Sequence, residues 1–175
     1  MNQIIKAMKE RRSIRKFKSE LPSKTDLEQI VEAGLYAANG KGRQATKIIV
    51  VTNKALRDKI SQMNCKIGGW DKDFDPFYGA PAMLIVLSEK DWYNRVYDGS
   101  LVMGNMMLAA HSLGLGSIWI HRAREEFESP EGKEILKSLG IEGEWEGIGH
   151  CAVGFMEGEM PEPAPRKEGR VIWAE

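Results

Sequence analysis

A chain of 175 residues with 25 basic and 25 acidic side chains carries no formal net charge, which excludes the strongly basic surface of a general nucleic-acid binder. An apolar fraction of 42% is that of a globular protein and excludes a disordered tail, and the length suits one domain over residues 1–175. Cys65 and Cys151 form no Cys-x-x-Cys pair, the N-terminus lacks a signal-peptide core, and no apolar run approaches the ~20 residues that span a bilayer, so a soluble, cytoplasmic protein with reduced thiols and no membrane partner is expected.

Asn2 is placed to cap a short helix whose apolar face is Ile4, Ile5 and Met8, and the cluster Arg11-Arg12-Ser13-Ile14-Arg15 lies just past its end. Lys18 to Pro22 reads as an extended linker. Ser23-Lys24-Thr25-Asp26 is an acidic capping box opening a helix through Leu27, Ile30, Val31 and Gly34 that stops near Asn39-Gly40. A loop over 39–44 leads to a strand at Lys47–Thr52, whose unbroken apolar run predicts burial on both faces. An amphipathic helix over Lys54–Met63 precedes a long irregular loop from Asn64 to Gly79 that holds Trp70, Phe74, Phe77 and Tyr78.

Ala82 to Leu87 predicts a second buried strand. The helix over Asp98–Leu113 is apolar almost all round and predicts the centre of a domain or a subunit interface. Gly114-Leu115-Gly116 ends it, Ser117 to His121 is a third strand, and Ser129-Pro130 opens a helix to Leu139. Gly147 to Gly154 is a fourth strand, Met160 to Arg166 a Pro-rich tail, and Arg170 to Trp173 a last short strand. Helices alternating with buried strands give a mixed α/β class without the strand-glycine-helix order of a dinucleotide fold.

Arg offers a planar fork of donors matched to phosphate oxygens, and Ser adds a small donor beside it. The Arg11–Arg15 cluster therefore has two readings, an anchor for an anionic ligand or a solvated basic patch at a helix end. Arg166 and Lys167 have the same two readings, a second anion-binding cluster or a solvated tail. His111, His121 and His150 lack ligand spacing and read as structural histidines, and the chain offers no evident nucleophile, metal site or acid/base dyad. Chemistry in such a chain belongs to a bound cofactor that the protein holds and orients.

Arg11-Arg12-Ser13-Ile14-Arg15-Lys16-Phe17 resembles the N-terminal signature of the FMN-dependent nitroreductase family. Ala37 to Gln44, Tyr78-Gly79-Ala80-Pro81, the Leu113 to Ser117 turn and Pro163 to Lys167 follow in that family's order. The resemblance implies an α+β fold with a central, mainly antiparallel sheet flanked by helices, and a homodimer with a domain-swapped C-terminal arm and FMN at the interface. By that likeness Arg11 and Ser13 contact the FMN phosphate and ribityl chain with Arg12 nearby, and Arg15 reaches the N1/O2 edge of the flavin. Arg166 binds the phosphate with Lys167 beside it. Ala38, Asn39, Gly40 and Gly42 touch the flavin of the other subunit, and Ile120, His121 and Arg122 lie beside the ring, where a backbone N–H faces N5.

The implied activity is ping-pong hydride transfer from NADH or NADPH to a nitroaromatic, quinone or similar small-molecule acceptor. A reductase of a specific non-nitro metabolite and a non-catalytic flavin-binding or storage protein remain open. Trp70, Phe74, Phe77 and Tyr78 either line the acceptor site or pack their own loop. The chain departs from its relatives at Gly42, where many have Asn, at Ala45-Thr46, where many have Pro-Trp, and at Ala164, where lysine is common. Asn64 is a candidate for the flavin's pyrimidine edge.

Overall fold

In the computed structural model, which describes residues 2–175, Asn2 Oδ1 accepts the N–H groups of Ile4 and Ile5 and so caps α1 (Gln3–Glu10). Ile4, Ile5 and Met8 form an apolar stripe that stays exposed in the protomer. Ser23 Oγ accepts from Asp26 N at 3.0 Å and donates to Asp26 Oδ2 at 2.7 Å, which makes the predicted capping box of α2 (Lys24–Leu35). α2 stops at Leu35, short of the Asn39-Gly40 expected from sequence. Asn39 is extended, and Lys41 and Gly42 take positive φ inside a 3₁₀ turn, Gly40–Gly42, so the turn residues form an element of their own.

β1 (Thr46–Val51), β2 (Ala82–Glu89), β3 (Gly116–Ile120) and β4 (Trp145–Gly154) form one sheet in the order β1-β2-β4-β3, antiparallel at every pairing. The architecture is α+β. β2 is buried from Ala82 to Ser88, as its apolar run demands. β1 corrects the expectation of two buried faces: as an edge strand with one neighbour it alternates, and Val50 is 44% exposed.

α3 (Lys54–Gly68) is longer than predicted, because Asn64 and Cys65 continue the buried stripe of Ile60 and Ser61 one turn on. Gly69, at φ 67, supplies the left-handed cap, so the irregular loop begins there and not at Asn64. α4 (Arg95–Ser112) begins three residues before the predicted start. Val102, Met103, Met106 and Ala110 are buried, but Tyr97 and Leu101 keep one face open in the protomer. α5 (Ala123–Glu128) is too short to show a periodicity and is absent from the sequence reading. α6 (Pro130–Ser138) carries the predicted N-cap Ser129 with Pro130 behind it. Residues 170–173 pair with no strand among the described residues, which corrects the expected last strand.

α2 and α4 cover one face of the sheet, with Leu27, Ile30, Met103 and Met106 against Leu84, Val86 and Val153. The other face packs Ile60, Phe77, Phe127 and Ile135 of α3, α5, α6 and the 69–79 loop against Met83, Ile85 and Ile118. α5 lies directly on β4. A Cβ at Gly147 would stand 2.2 Å from the Ala123 carbonyl oxygen, so only glycine permits that approach.

Candidate functional site

The Arg cluster runs along the free edge of β3. Ser13 bridges Ser117 in parallel, and the Ile14 N–H donates to the Ser117 carbonyl at 3.1 Å. Ile14 is buried, which fixes the segment, and Arg11, Arg12 and Ser13 are half-buried beside it while Arg15 is exposed. The contact with β3 is local: by Phe17 the segment has crossed to pair with Met156, beyond the end of β4.

Arg11 Nη1 and Arg12 Nε are buried donors without an acceptor among the described residues. Arg12 Nη1 is held by the carbonyls of Lys9 and Arg11 at 2.8 and 2.6 Å. Orphaned guanidinium donors carry a desolvation cost that an anion would offset. The residues present fit a phosphate. On β4, burial pushes the Cys151 thiol up to about 12 despite the opposing charge of Arg11, which disfavours the reactive thiolate.

The end of β3 is built with unusual care from below. His150 and Glu126 are fully buried, and Glu126 Oε2 lies 2.6 Å from His150 Nε2. His150 Nδ1 meets the Ile120 carbonyl at 3.2 Å. Asn64, also fully buried, donates from Nδ2 to the His121 carbonyl at 2.8 Å, while its Oδ1 has no partner. Glu126 and His150 come from different elements, and α5 is too short to show a face, so no local sequence pattern announces the pair. The Glu126–His150 pair is sealed from solvent. Asn64 lies on α3 under the strand end, and its amide is committed to the His121 backbone, which corrects its assignment to a loop.

Arg122 follows at φ 78, a left-handed conformation that costs a non-glycine residue of order 1–3 kcal/mol and clusters at functional sites. Its guanidinium lies 4.3 Å from the centre of the Trp70 ring. Trp70 packs edge-on to Phe74, and Phe74 to Tyr78, at 5.1 and 6.0 Å. Trp70 and Phe74 are part-exposed, whereas Phe77 is fully buried in the core beside His150, so Phe77 drops out of any acceptor-lining role.

Asp75 anchors the 69–79 loop to α3. Its carboxylate accepts from Arg57, from Ser61 Oγ at 2.7 Å and from the N–H groups of Phe77 and Gly79 at 3.0 and 2.8 Å. Burial works to raise the Asp75 carboxyl, but the hydrogen bonds from Arg57 and Ser61 and the Arg57 charge outweigh it and hold it below the usual carboxylate range. Trp119, His121 and Arg122 line an open groove of about 700 Å3 with Val96 and Ser100.

The loop of Ala38, Asn39, Gly40 and Gly42 is not part of this groove within the protomer. Gly40 N donates to Asp98 Oδ1 at 3.0 Å, and Asp98, buried, also takes the Trp92 indole N–H at 2.7 Å. Arg12 shares its surroundings with His111, and at 1.5 Å per residue Asp98 and His111 are roughly 20 Å apart along α4. Arg166 and Lys167 are exposed, and the Arg166 guanidinium donates to the Ala164 carbonyl at 3.2 and 2.5 Å. The protomer thus sets Ser13 and Ile14 beside Ser117 on the strand that ends at Ile120, while Arg12 and the His121–Arg122 pair line separate pockets. It leaves the 38–42 loop and the 166–167 pair elsewhere.

The Nitroreductase family model matches residues 8–66 and 69–155. A protein of Methanothermobacter thermautotrophicus described as a putative NADH dehydrogenase/NAD(P)H nitroreductase is 31% identical over 123 residues. That match covers 66% of this chain and 59% of the relative, so the chain spans less than two thirds of that protein's length. Crystal structures of nitroreductases with bound FMN superpose over 100% of both chains. The one from Bacteroides fragilis does so with a TM-score of 0.90 at 27% identity, and the one from Desulfitobacterium hafniense with 0.89 at 28%.

Proposed function

The chain belongs to the nitroreductase family, and from that premise we propose that it is an FMN-dependent NAD(P)H oxidoreductase, a single cytoplasmic domain working as a homodimer. The observation that carries the reading is the buried, acceptorless Arg11 Nη1, with Arg12 Nε beside it, on the edge of β3. Bound FMN supplies a two-electron carrier that takes hydride from NADH or NADPH and passes it, in a ping-pong cycle, to a nitroaromatic, quinone or similar small acceptor.

Arg11 and Ser13 hold the phosphate and ribityl end, with Arg12 closing the cluster. Arg15, exposed two residues after Ser13, sets a cation against the N1/O2 edge of the ring, where negative charge gathers. Ile120, His121 and Arg122 flank the ring with backbone donors. Trp70 and Phe74 offer part-exposed aromatic faces beside Arg122, which suits flat acceptors.

A dimer accounts for the residues that the protomer leaves apart. Ala38, Asn39, Gly40 and Gly42 meet the cofactor bound by the other protomer. The C-terminal arm reaches across as well, bringing Arg166 and Lys167 to a phosphate. Val171, Ile172 and Trp173 are 70, 90 and 82% exposed in one protomer, and an apolar groove lined by Leu21, Leu27, Val31, Leu35 and Val50 lies open between α2 and the edge strand β1. The buried thiols Cys65 and Cys151 accord with a reducing compartment.

The absorption spectrum of the purified protein, taken anaerobically before and after NADH or NADPH, tests the reading. A flavin spectrum that bleaches is expected. A yellow protein that neither nicotinamide bleaches would sink the reductase claim and leave a flavin store.

A further inference from the structure

We propose that Asn64 and the Glu126–His150 pair are positioning residues that aim the backbone N–H groups of Arg122 and His121 into the groove. The argument starts from peptide geometry. A trans peptide sets the carbonyl of one residue opposite the N–H of the next, and the chain has no cis peptide among its described residues. Holding the Ile120 carbonyl therefore fixes the direction of the His121 N–H, and holding the His121 carbonyl fixes that of the Arg122 N–H.

Asn64 alone holds the His121 carbonyl, whereas the Ile120 carbonyl is shared by the β3–β4 ladder, where Ile120 pairs with His150, and by the His150 ring. His150 Nδ1 meets the Ile120 oxygen at 3.2 Å, and Asn64 Nδ2 the His121 oxygen at 2.8 Å. Both holders are 0% exposed, so the carbonyls face the interior and the N–H groups face out of it. Neither N–H meets a protein acceptor among the described residues. Glu126, also 0% exposed, stands 2.6 Å behind His150 Nε2 and confines the ring from that side.

The arrangement is costly for packing alone. Asn64 Oδ1 and Glu126 Oε1 are buried without hydrogen-bond partners, whereas apolar side chains of similar volume would leave nothing unsatisfied there. What the polar side chains add is orientation of two consecutive peptide groups, at the point where Arg122 leaves the strand at φ 78. That matters because a preorganised N–H donor is effective only when aimed before the ligand arrives. The proposal deepens the flavoenzyme reading above and rests on it for the identity of the ligand.

The test is residue-resolved amide NMR on the full chain, without FMN and then with it, for wild type, Asn64→Leu and the double variant Glu126→Leu/His150→Leu. Both changes exchange buried polar groups for apolar ones and leave Arg11 in place, so both variants are expected to fold. Without FMN, Asn64→Leu should move the Arg122 amide and spare His121, and the double variant should do the reverse. With FMN, each variant should lose about tenfold of hydrogen-exchange protection at its own amide, as expected for one lost hydrogen bond. If either variant moves both amides alike, or neither amide responds, the positioning role is overturned and the groups are packing only. A wild-type chain that binds no FMN sinks the flavoenzyme reading, and the pattern without FMN still decides the positioning role.

Discussion

The guanidinium of Arg122 lies 4.3 Å from the centre of the Trp70 ring, which ties the end of β3 to the first aromatic of the 69–79 loop. That single contact joins a strained backbone position, at φ 78, to a ladder running through Phe74 to Tyr78. Trp70→Ala should lower stability by only about 1 kcal/mol, the scale of a part-exposed cation–π pair. Its larger effect should fall on KM for a flat nitroaromatic, with the rate of NAD(P)H oxidation at saturation little changed. Urea unfolding and steady-state kinetics on the same preparation check both halves.

Asp75 makes the loop's anchorage pH-dependent. Its carboxyl is held below the ordinary range in the folded chain, and unfolding returns it to about 3.9. The stabilisation is therefore fully present above the ordinary carboxylate range and is lost as pH falls through the folded value. At neutral pH Asp75→Asn should cost about 1–2 kcal/mol, because it leaves the buried Arg57 cation with Asp58, at 3.3 Å, as its remaining carboxylate and removes the charged acceptor of four hydrogen bonds. The gap between wild type and variant should close as pH drops below that range, which denaturation measured from pH 7 to pH 3 would reveal.

Much of the fold is legible because its elements carry local chemistry. The Ser23-Asp26 box, the Ser129-Pro130 start and the unbroken apolar run of β2 each state a physical reason for the structure found there. What stays hidden is decided by neighbours. β1 reads as doubly buried from its composition, yet it lies at the sheet edge, and nothing in Lys47 to Thr52 announces how many strands flank it. Arg11 and Arg15 are legible as a charge cluster, but the parallel bridge from Ser13 to Ser117 that docks the cluster on the β3 edge joins residues far apart in the chain. The Glu126–His150 pair is less legible still, since α5 has too few turns to display a face.

Arg11 offers a case in which stability and binding should part. Its Nη1 is buried and unpartnered, so Arg11→Ala removes an unsatisfied cation and should leave the cofactor-free protein as stable as wild type or slightly more so. FMN affinity should instead fall about 10- to 100-fold, the loss expected for a charge-assisted hydrogen bond to phosphate. Thermal unfolding without cofactor and a fluorescence titration with FMN separate the two. Wild-type affinity in this variant would remove the phosphate from the Arg cluster.

Val171, Ile172 and Trp173 at the end of the C-terminal arm are exposed in the protomer, and the arm's two contributions can be separated. Deleting residues 161–175 removes both the exposed Val171-Ile172-Trp173 segment and Arg166 with Lys167. The truncated chain should retain its fold, because the last residue packed against either core layer is Met156. It should sediment with a weakened dimer and bind FMN poorly. Arg166→Ala in the full chain keeps the apolar segment, so it should lose FMN affinity and still sediment as a dimer. Trp173→Ala should do the opposite, loosening the dimer with less effect on the phosphate. If the truncated chain sediments as the wild type does, the arm contributes nothing to assembly, and the exposed stripe of Ile4, Ile5 and Met8 on α1 and the open face of α4 become the surfaces that hold the protomers together.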